Sequence, residues 1–466
     1  MTNKQVTDQF GNQYLLKECI GEGAEGAVYR TDVEGKLVKL VKIEATHKES
    51  WTEHKKWLVR KNIPSSVQII LPLAVLTGDD LGYVMNEVEN HVPLVEWIQK
   101  PEDEALSDWY NVKTGGVKKR VEIAANLAKS IRNLHTVGLA FSDLSPMNIL
   151  VSPTSKSIWI IDPDNITSPG MFNQKVLGTP RYIAPELFHE SRSISSLTDT
   201  YAYGVLMFEM FRLGHPYIGD DLADASPEEE EQAFKGLYPY IEHPTDDSNR
   251  STVHLPANLI LTPAINQLFE RLFVEGQENF LKRPTLLEMY REFNLTQDCV
   301  NHCSCGASYI LQTNCCPWCD TPAQQLTFLN CVKESIVKDA ILENGRLTKS
   351  KEVAHQILLP LNIWKPVYQH HFNPNVAQED NIALGTIRLE VDKVVFINRH
   401  SDQKPYLVVD RMTKQRKKIE FNDGVVLNAG QTILIQSMTE KLNNYIPELE
   451  SVKLFNYVEL SVEVKK

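Results

Sequence analysis

Apolar and polar positions alternate along the first forty residues of this chain. Residues 10–30, FGNQYLLKECIGEGAEGAVYR, read as two strand-like halves around Gly21, Gly23 and Gly26, and Lys36 to Ile43, KLVKLVKI, reads as a further strand. The spacing then turns helical over 49–62, where Trp51, Lys55 and Leu58 fall along one side. Two more strands are predicted within 67–89, around the turn Thr77 to Asp80. From Val117 to Val137, the series Val121, Ala124, Ala125, Leu127, Ala128, Ile131, Leu134 predicts a buried helix. Ile158 to Ile161 is a short β-branched run that predicts a strand, and the acidic stretch Asp220 to Gln232 reads as a solvated loop or frayed helix. Beyond residue 323 a helical stretch is expected at Phe328 to Leu342, followed by a loop rich in Pro, His and Asn. From Ile382 onward strands return (IRLEVDKVVFIN, PYLVVD, KKIEF, VVLNAGQTILIQ and the closing VKLFNYVELSVEVKK), which predicts a sandwich or barrel of roughly five to seven strands.

A chain of 466 residues is too long for one ordinary core. Hydrophobic content of 42% and charged content of 23% are those of a globular protein. The net charge of −12 argues against a nucleic-acid partner, because phosphate backbones demand basic surfaces. No apolar run reaches the length of a membrane span, and MTNKQVTDQF has no signal-peptide core, so the expectation is a cytoplasmic protein without a membrane partner. Of eight cysteines, six fall between Cys299 and Cys319. In a reducing compartment such a cluster reads as a metal site before a disulfide framework.

Chemistry concentrates in Phe141 to Asn165, FSDLSPMNILVSPTSKSIWIIDPDN. Asp143 is followed five residues later by Asn148, and Asp162 ends the apolar run of the predicted strand. Two carboxylates and an amide on short adjacent elements suit Mg²⁺, which takes few protein oxygens and leaves its other positions to water and phosphate. Upstream, glycines at 21, 23 and 26 would let backbone amides approach a phosphate unobstructed. Downstream, Cys316-Pro-Trp-Cys319 is a knuckle suited to tetrahedral Zn²⁺. For the other half of that site Cys303-x-Cys305, His302-x-x-Cys305 and a set including Cys299 all reach; Cys303 and Cys305 are favoured, with His302 as the alternative ligand and Trp318 as packing.

In this order the motifs resemble those of protein kinases, specifically bacterial eukaryotic-like (Hanks-type) serine/threonine kinases whose catalytic domain runs into a cysteine knuckle. The carrying features are the glycine loop with Val28, a lysine strand, Asp143 to Asn148, Asp162, the tract Gly178-Thr179-Pro180-Arg181-Tyr182-Ile183-Ala184-Pro185-Glu186, Asp199 to Gly204, and Arg283. The resemblance implies an α+β bilobal kinase fold over 10–296, with lobes at about 10–88 and 89–296. A zinc knuckle (297–322), a helical and loop linker (323–381) and a β-rich domain (382–466) would follow. It implies ATP and Mg²⁺, with Gly21, Glu22, Gly23 and Gly26 over the phosphates and Val28 and Leu150 about the adenine. Met85 would be the gatekeeper, with Glu87 and Val88 in the hinge. Lys39, with Lys42 as rival, would contact phosphates and be held by Glu53, with Glu49 as alternative. Asp143 would take the hydroxyl proton, Asn148 and Asp162 would hold Mg²⁺, and Zn²⁺ would be structural. Partners implied are a protein substrate, a cognate phosphatase and a von Willebrand A-type protein. The chain departs from the family at Phe141-Ser142, Ser145 and Asp162-Pro163-Asp164, which leaves open a nucleotide-binding scaffold in place of an enzyme.

Overall fold

The computed structural model describes residues 4–23, 26–42, 47–168, 178–188, 194–310, 315–323, 326–336, 349–359, 362–371, 383–390, 393–401, 403, 405–410, 416–427, 431–436 and 457–465. They fall into two compact units, 1–294 and 295–466.

The first unit opens with six strands: β1 (Gln5–Asp8), β2 (Gln13–Gly23), β3 (Gly26–Thr31), β4 (Lys36–Val41), β5 (Ala74–Thr77) and β6 (Gly82–Asn86). They close into a barrel in the order β1-β2-β3-β4-β6-β5, with β5 returning to β1. Val6, Tyr14, Leu16, Val38, Ala74, Leu76 and Val84 fill it, as the alternation predicts. Helix α1 (Lys48–Arg60) buries Leu58 and leaves its charged face in water. Gly26 has φ 155°, and a Cβ there would lie 2.1 Å from the Leu40 carbonyl oxygen, so only glycine permits this approach of β3 to β4. Opposite, β4 pairs with β6 so that Lys39 faces Tyr83 and Leu37 faces Met85.

The rest of the first unit is mainly helical. α2 (Gly116–Thr136) and α3 (Ser196–Arg212) pack together, and α3 is buried on nearly every side, which suits its apolar sequence. Ser195 and Thr198 cap α3 reciprocally. The strands β7 (Val92–Pro93), β8 (Ile149–Val151) and β9 (Ile158–Ile160) form a small sheet that carries the Asp143 to Asp162 region at its edge. Within the acidic stretch, where a solvated loop or frayed helix is expected, α4 (Pro227–Phe234) forms. Ser226 and Glu229 build a capping box around Pro227 at the first turn, and acidic side chains sit at the positive end of the helix.

In the second unit, β10 (Val300–His302) and β11 (Ser308–Ile310) pair as a hairpin. Among the described residues ten further strands follow: β12 (Leu326–Ile336), β13 (Lys349–Leu358), β14 (Lys365–Tyr368), β15 (Ala383–Glu390), β16 (Lys393–Asn398), β17 (Tyr406–Asp410), β18 (Arg416–Ile419), β19 (Gly424–Leu427), β20 (Gln431–Gln436) and β21 (Tyr457–Lys465). They form a six-stranded sheet, β13-β12-β21-β20-β17-β18, and a four-stranded sheet, β14-β15-β16-β19. Residues from both sheets, among them Leu329, Ile357, Ile387, Phe396 and Ile419, share one core. The helix expected from Phe328 is instead strand as far as Ile336, and residues 337–348 lie outside those described. Antiparallel partners on both sides, β13 and β21, override the local helical spacing.

Asp298, His355 and His371 meet in this unit, with the two histidine Nε2 atoms 3.2 and 3.0 Å from Asp298 Oδ2. The backbone N–H of Tyr368 donates to His371 Nδ1 at 3.0 Å, which places the His371 proton on Nε2, pointing at the carboxylate. The three side chains thus form a hydrogen-bonded clasp on the Asp298 carboxylate.

Candidate active site

A cleft of about 640 Å³ runs beneath the barrel of the first unit, with Gly21, Gly23, Val28 and Lys39 above, Met85, Glu87 and Val88 at its back, and Leu150 and Asp162 below. A Cβ at Gly21 or Gly23 would meet nothing within 4 Å, so internal packing does not require glycine there. Lys39 is 9% exposed and its Nζ lies 2.7 Å from Asp162 Oδ1 and 2.9 Å from Asp164 Oδ2. Lys42 faces the other way, 66% exposed and paired with Glu22. Strand alternation decides between them, because residues three apart lie on opposite faces. Glu87 accepts from Arg30 Nε at 3.0 Å, while its backbone N–H donates to the Gly35 carbonyl.

Glu53 does not hold Lys39. It is 62% exposed and bonded to Lys56 at 2.8 Å, one turn along the solvent face, and Glu49 is exposed as well. The residue that α1 turns inward is Lys55, fully buried, with Nζ 2.8 Å from Asp164 Oδ1 and 3.1 Å from the Asp164 carbonyl oxygen. Beside it, His54 Nε2 donates to the Ile166 carbonyl at 2.7 Å. Burial alone would raise the Asp164 carboxyl, yet the Lys55 and Lys39 ammoniums hold it down at about 2. Asp162 is pushed up to about 6 by burial and by the neighbouring Asp164 charge, against the pull of Lys39.

Asp143 lies on the loop that leads into β8. Its Oδ1 accepts from the backbone N–H of Thr179 at 3.1 Å and from the Thr179 hydroxyl at 3.3 Å. Asn148 Nδ2 donates to the Asp143 carbonyl at 3.0 Å and to Oδ2 at 3.1 Å, which fixes the amide and directs Oδ1 elsewhere. The loop before Asp143 is held from beneath by Asp199 on α3, whose carboxylate accepts from the N–H groups of Phe141 (2.8 Å) and Ser142 (2.9 Å), with His135 Nε2 2.8 Å away. Ser142 has φ 69°, and its hydroxyl donates to the Asn165 carbonyl at 2.9 Å, joining the loop to the segment after Asp162. The tract at 178–188 is anchored twice. Arg283 makes a two-pronged pair with Glu186, 2.7 Å on each arm, and Tyr182 and Arg181 bond the buried Glu209 of α3. Most of the loop from Asp162 to this tract, 169–177, lies outside the described residues. At its start Thr167 is buried, paired through its backbone with Ala140.

In the second unit, Cys303, Cys305, Cys316 and Cys319 bring four sulfurs within 4.8 Å of one another. The Cys303–Cys319 and Cys305–Cys316 separations are 3.5 and 3.9 Å. A tetrahedral site with Zn–S bonds of about 2.3 Å has S···S edges of about 3.8 Å, so the set fits Zn²⁺ and is too wide for disulfides. Thr321, through its hydroxyl and backbone N–H, draws the Cys319 thiol down to about 6, while burial pushes Cys316 up to about 12. His302 stays on β10 and is not part of the four-atom group. Ala307, Tyr309 and Cys316 form a small core on which Trp318 packs.

The protein kinase domain profile matches residues 14–292, more than half of the chain. The chain belongs to the protein kinase domain family. It is 23% identical over 416 residues to the protein kinase YegI of Escherichia coli, covering 84% of this chain and 60% of that protein. It is 28% identical over 221 residues to the probable serine/threonine-protein kinase CPE1738 of Clostridium perfringens, covering 45% and 30% respectively. To the serine/threonine-protein kinase PknG of Mycobacterium leprae it is 26% identical over 206 residues, covering 42% and 25%. This chain thus spans less than two thirds of the length of each. Among the described residues no helix is long and apolar enough to cross a membrane.

Three contributors to the site are not evident from motif order: Lys55, Asp164 and the loop-holding role of Asp199. A lysine in line with Trp51 and Leu58 on the inward side of a helix is the signal for the first, and a second aspartate after Pro163 is the signal for its partner.

Proposed function

We propose that this chain transfers the γ-phosphoryl group of ATP to a serine or threonine hydroxyl of a protein, within a bacterial stress-signalling system. The observation that supports this most is the pairing of Lys39 with Asp162 in one cleft roofed by Gly21 and Gly23, whose missing side chains internal packing does not explain, with Asn148 bonded to Asp143 on the adjoining loop and its carbonyl accepting from the Ile161 N–H. In this reading Gly21, Glu22, Gly23 and Gly26 cover the phosphates, Val28 and Leu150 enclose the adenine, and Glu87 and Val88 meet its edge. Lys39 neutralises phosphate charge. Asp143 orients the acceptor hydroxyl and takes its proton as the oxygen bonds to phosphorus and ADP departs. The work is positioning and electrostatic stabilisation of the charge spread over the transferring group. Hard oxygen donors at Asp162 and Asn148 suit Mg²⁺, which when bound supplies positive charge to the phosphates. Thr179 against Asp143 supports the serine/threonine preference.

The decisive experiment is transfer of radiolabel from ATP to a generic acceptor protein by the purified chain. Lys39→Ala is expected to abolish transfer while leaving the thermal transition in place, and Lys42→Ala to remain within threefold of wild type. Transfer that survives Lys39→Ala overturns the assignment of the site. A melting temperature raised by Mg-ATP without any transfer points instead to a nucleotide-binding scaffold.

The proposal extends to a structural Zn²⁺ on Cys303, Cys305, Cys316 and Cys319, supported by their sulfur separations, and to a cytoplasmic location, where such thiols stay reduced. The functional domains are taken as 10–296 and 297–322, followed by one β-rich domain that takes in the expected linker 323–381 together with 382–466, because β12, β13 and β14 share their sheets and core with the strands after 382. The resemblance alone suggests a cognate phosphatase and a von Willebrand A-type protein as partners. Copurification with either is the test.

A further inference from the structure

Resting on the phosphoryl-transfer reading above, we propose that Asp164 supplies the carboxylate that positions Lys39, and that Lys55 on α1 holds Asp164 in place. No carboxylate of α1 reaches Lys39, because Glu53 and Glu49 are exposed on its outer face. What α1 offers the cleft is a second ammonium, Lys55, fully buried and 2.8 Å from Asp164 Oδ1. Two buried ammoniums facing one site repel, and an anion between them is the arrangement that lets both stay charged. Asp164 is that anion: Oδ2 lies 2.9 Å from Lys39 and Oδ1 2.8 Å from Lys55, with the side chain 10% exposed. Adding Asp162, the four charges Lys39⁺, Lys55⁺, Asp162⁻ and Asp164⁻ sum to zero, so loss of any one leaves an uncompensated charge at low dielectric.

The backbone explains how two aspartates two residues apart reach one site. Asp162 is left-handed at φ 60°, ψ 69°, and Pro163 opens a short helical turn, Pro163–Asn165, that swings Asp164 back toward the cleft. The same turn carries the Asp164 carbonyl to Lys55 and leads into Ile166, whose carbonyl accepts from His54. α1 is therefore fastened at adjacent residues, 54 and 55, to the segment that follows the metal-binding aspartate. The group that positions Lys39 belongs to that segment and not to the helix. Asp164 and Lys55 act through Lys39 and are positioning residues.

The test uses the full chain, measuring kcat, KM for ATP and the Mg²⁺ dependence of the rate. The isosteric Asp164→Asn and the buried-compatible Lys55→Met are each expected to lower kcat at least thirtyfold with KM for ATP changed less than threefold. A pair of changes, Lys55→Glu with Asp164→Gly, moves the carboxylate onto α1. It is expected to recover at least tenfold in kcat over Lys55→Glu alone, a rescue that a merely structural role would not give. Asp164→Asn within threefold of wild type overturns the proposal. So does an Asp164→Asn protein whose defect is relieved by raised Mg²⁺ while Lys55→Met is silent, because Asp164 would then be a metal ligand. Lys39→Ala separates the two levels: activity without Lys39 refutes the site itself, whereas an inactive Lys39→Ala beside an active Asp164→Asn refutes only this inference.

Discussion

Replacing Asp199 by Asn tests how the catalytic loop is held. The carboxylate is buried and accepts from two consecutive backbone N–H groups, Phe141 at 2.8 Å and Ser142 at 2.9 Å. An amide keeps one acceptor oxygen and turns an NH₂ toward the other N–H, so one charge-assisted hydrogen bond is lost and a donor is set against a donor. Hydrogen bonds to charged groups contribute about 1.5–3 kcal/mol, and a loss of about 2–3 kcal/mol is expected here. Ser142 adds to the tendency to rearrange, because at φ 69° it occupies a conformation that costs a non-glycine residue about 1–2 kcal/mol. If the loss falls on the population of loops holding Asp143 correctly, kcat drops about 30- to 150-fold. KM for ATP should stay within about threefold, because no residue lining the cleft touches Asp199 in the bonds described. The assay is steady-state phosphoryl transfer at varied ATP, with melting temperature and Mg-ATP-induced stabilisation measured alongside. An Asp199→Asn protein with kcat within threefold of wild type, or one whose defect lies wholly in KM, would refute the reasoning.

Arg283→Met leaves the Glu186 carboxylate without its two-pronged partner in a largely buried setting, and a loss of about 3–5 kcal/mol in urea unfolding is expected; a change below about 1 kcal/mol would show the pair to be dispensable. Acid should weaken the first unit through His54 and His254, both held down to about 4, chiefly by burial. The unfolded chain takes up these protons near pH 6.5 and the native one does not, so stability falls as pH drops from about 6.5 to about 4, by up to ~1.4 kcal/mol per unit for each histidine. His54→Gln should flatten the dependence of melting temperature on pH across that window, and an unchanged slope would argue against it. For the cysteine cluster, elemental analysis should find about one Zn²⁺ per chain, and Cys316→Ser should lose it. Full metal content in that variant would refute the ligand set.

The inward turn of Lys39 can be read from strand alternation, because Lys42 lies an odd number of residues away and must face out. The order Asp143, Asn148, Asp162 likewise needs no tertiary information, since each is fixed by short local elements. The outward turn of Glu53 has a cause that local pattern does not contain. Helical spacing marks the side of α1 that carries Trp51, Lys55 and Leu58, but a lysine there makes sense only once an anion 109 residues away in sequence, Asp164, is brought against it. The same limit applies to Leu326–Ile336. Its local spacing suits a helix, and its strand character comes from partners at 349–358 and 457–465 that lie far along the chain. In the cysteine region the knuckle spacing names two sulfurs, and only the β10–β11 hairpin, which folds Cys303 and Cys305 back, selects the other two over His302.

The place of β21 in the six-stranded sheet has a consequence for how the chain is made. β21 (Tyr457–Lys465) lies between β12 and β20 and supplies antiparallel partners to both. β12 ends at Ile336, so roughly 120 residues must be synthesised before its second neighbour exists, a wait of about 6–24 s at elongation rates of about 5–20 residues per second. During that interval β12 pairs on one side at most, and its other edge, bearing LTFLNCV, is open to any extended peptide nearby. A nascent chain stalled before residue 457 would present this edge at the ribosome, where a holdase or a neighbouring nascent chain competes for it. The kinase-like unit, complete by residue 294, is under no such delay.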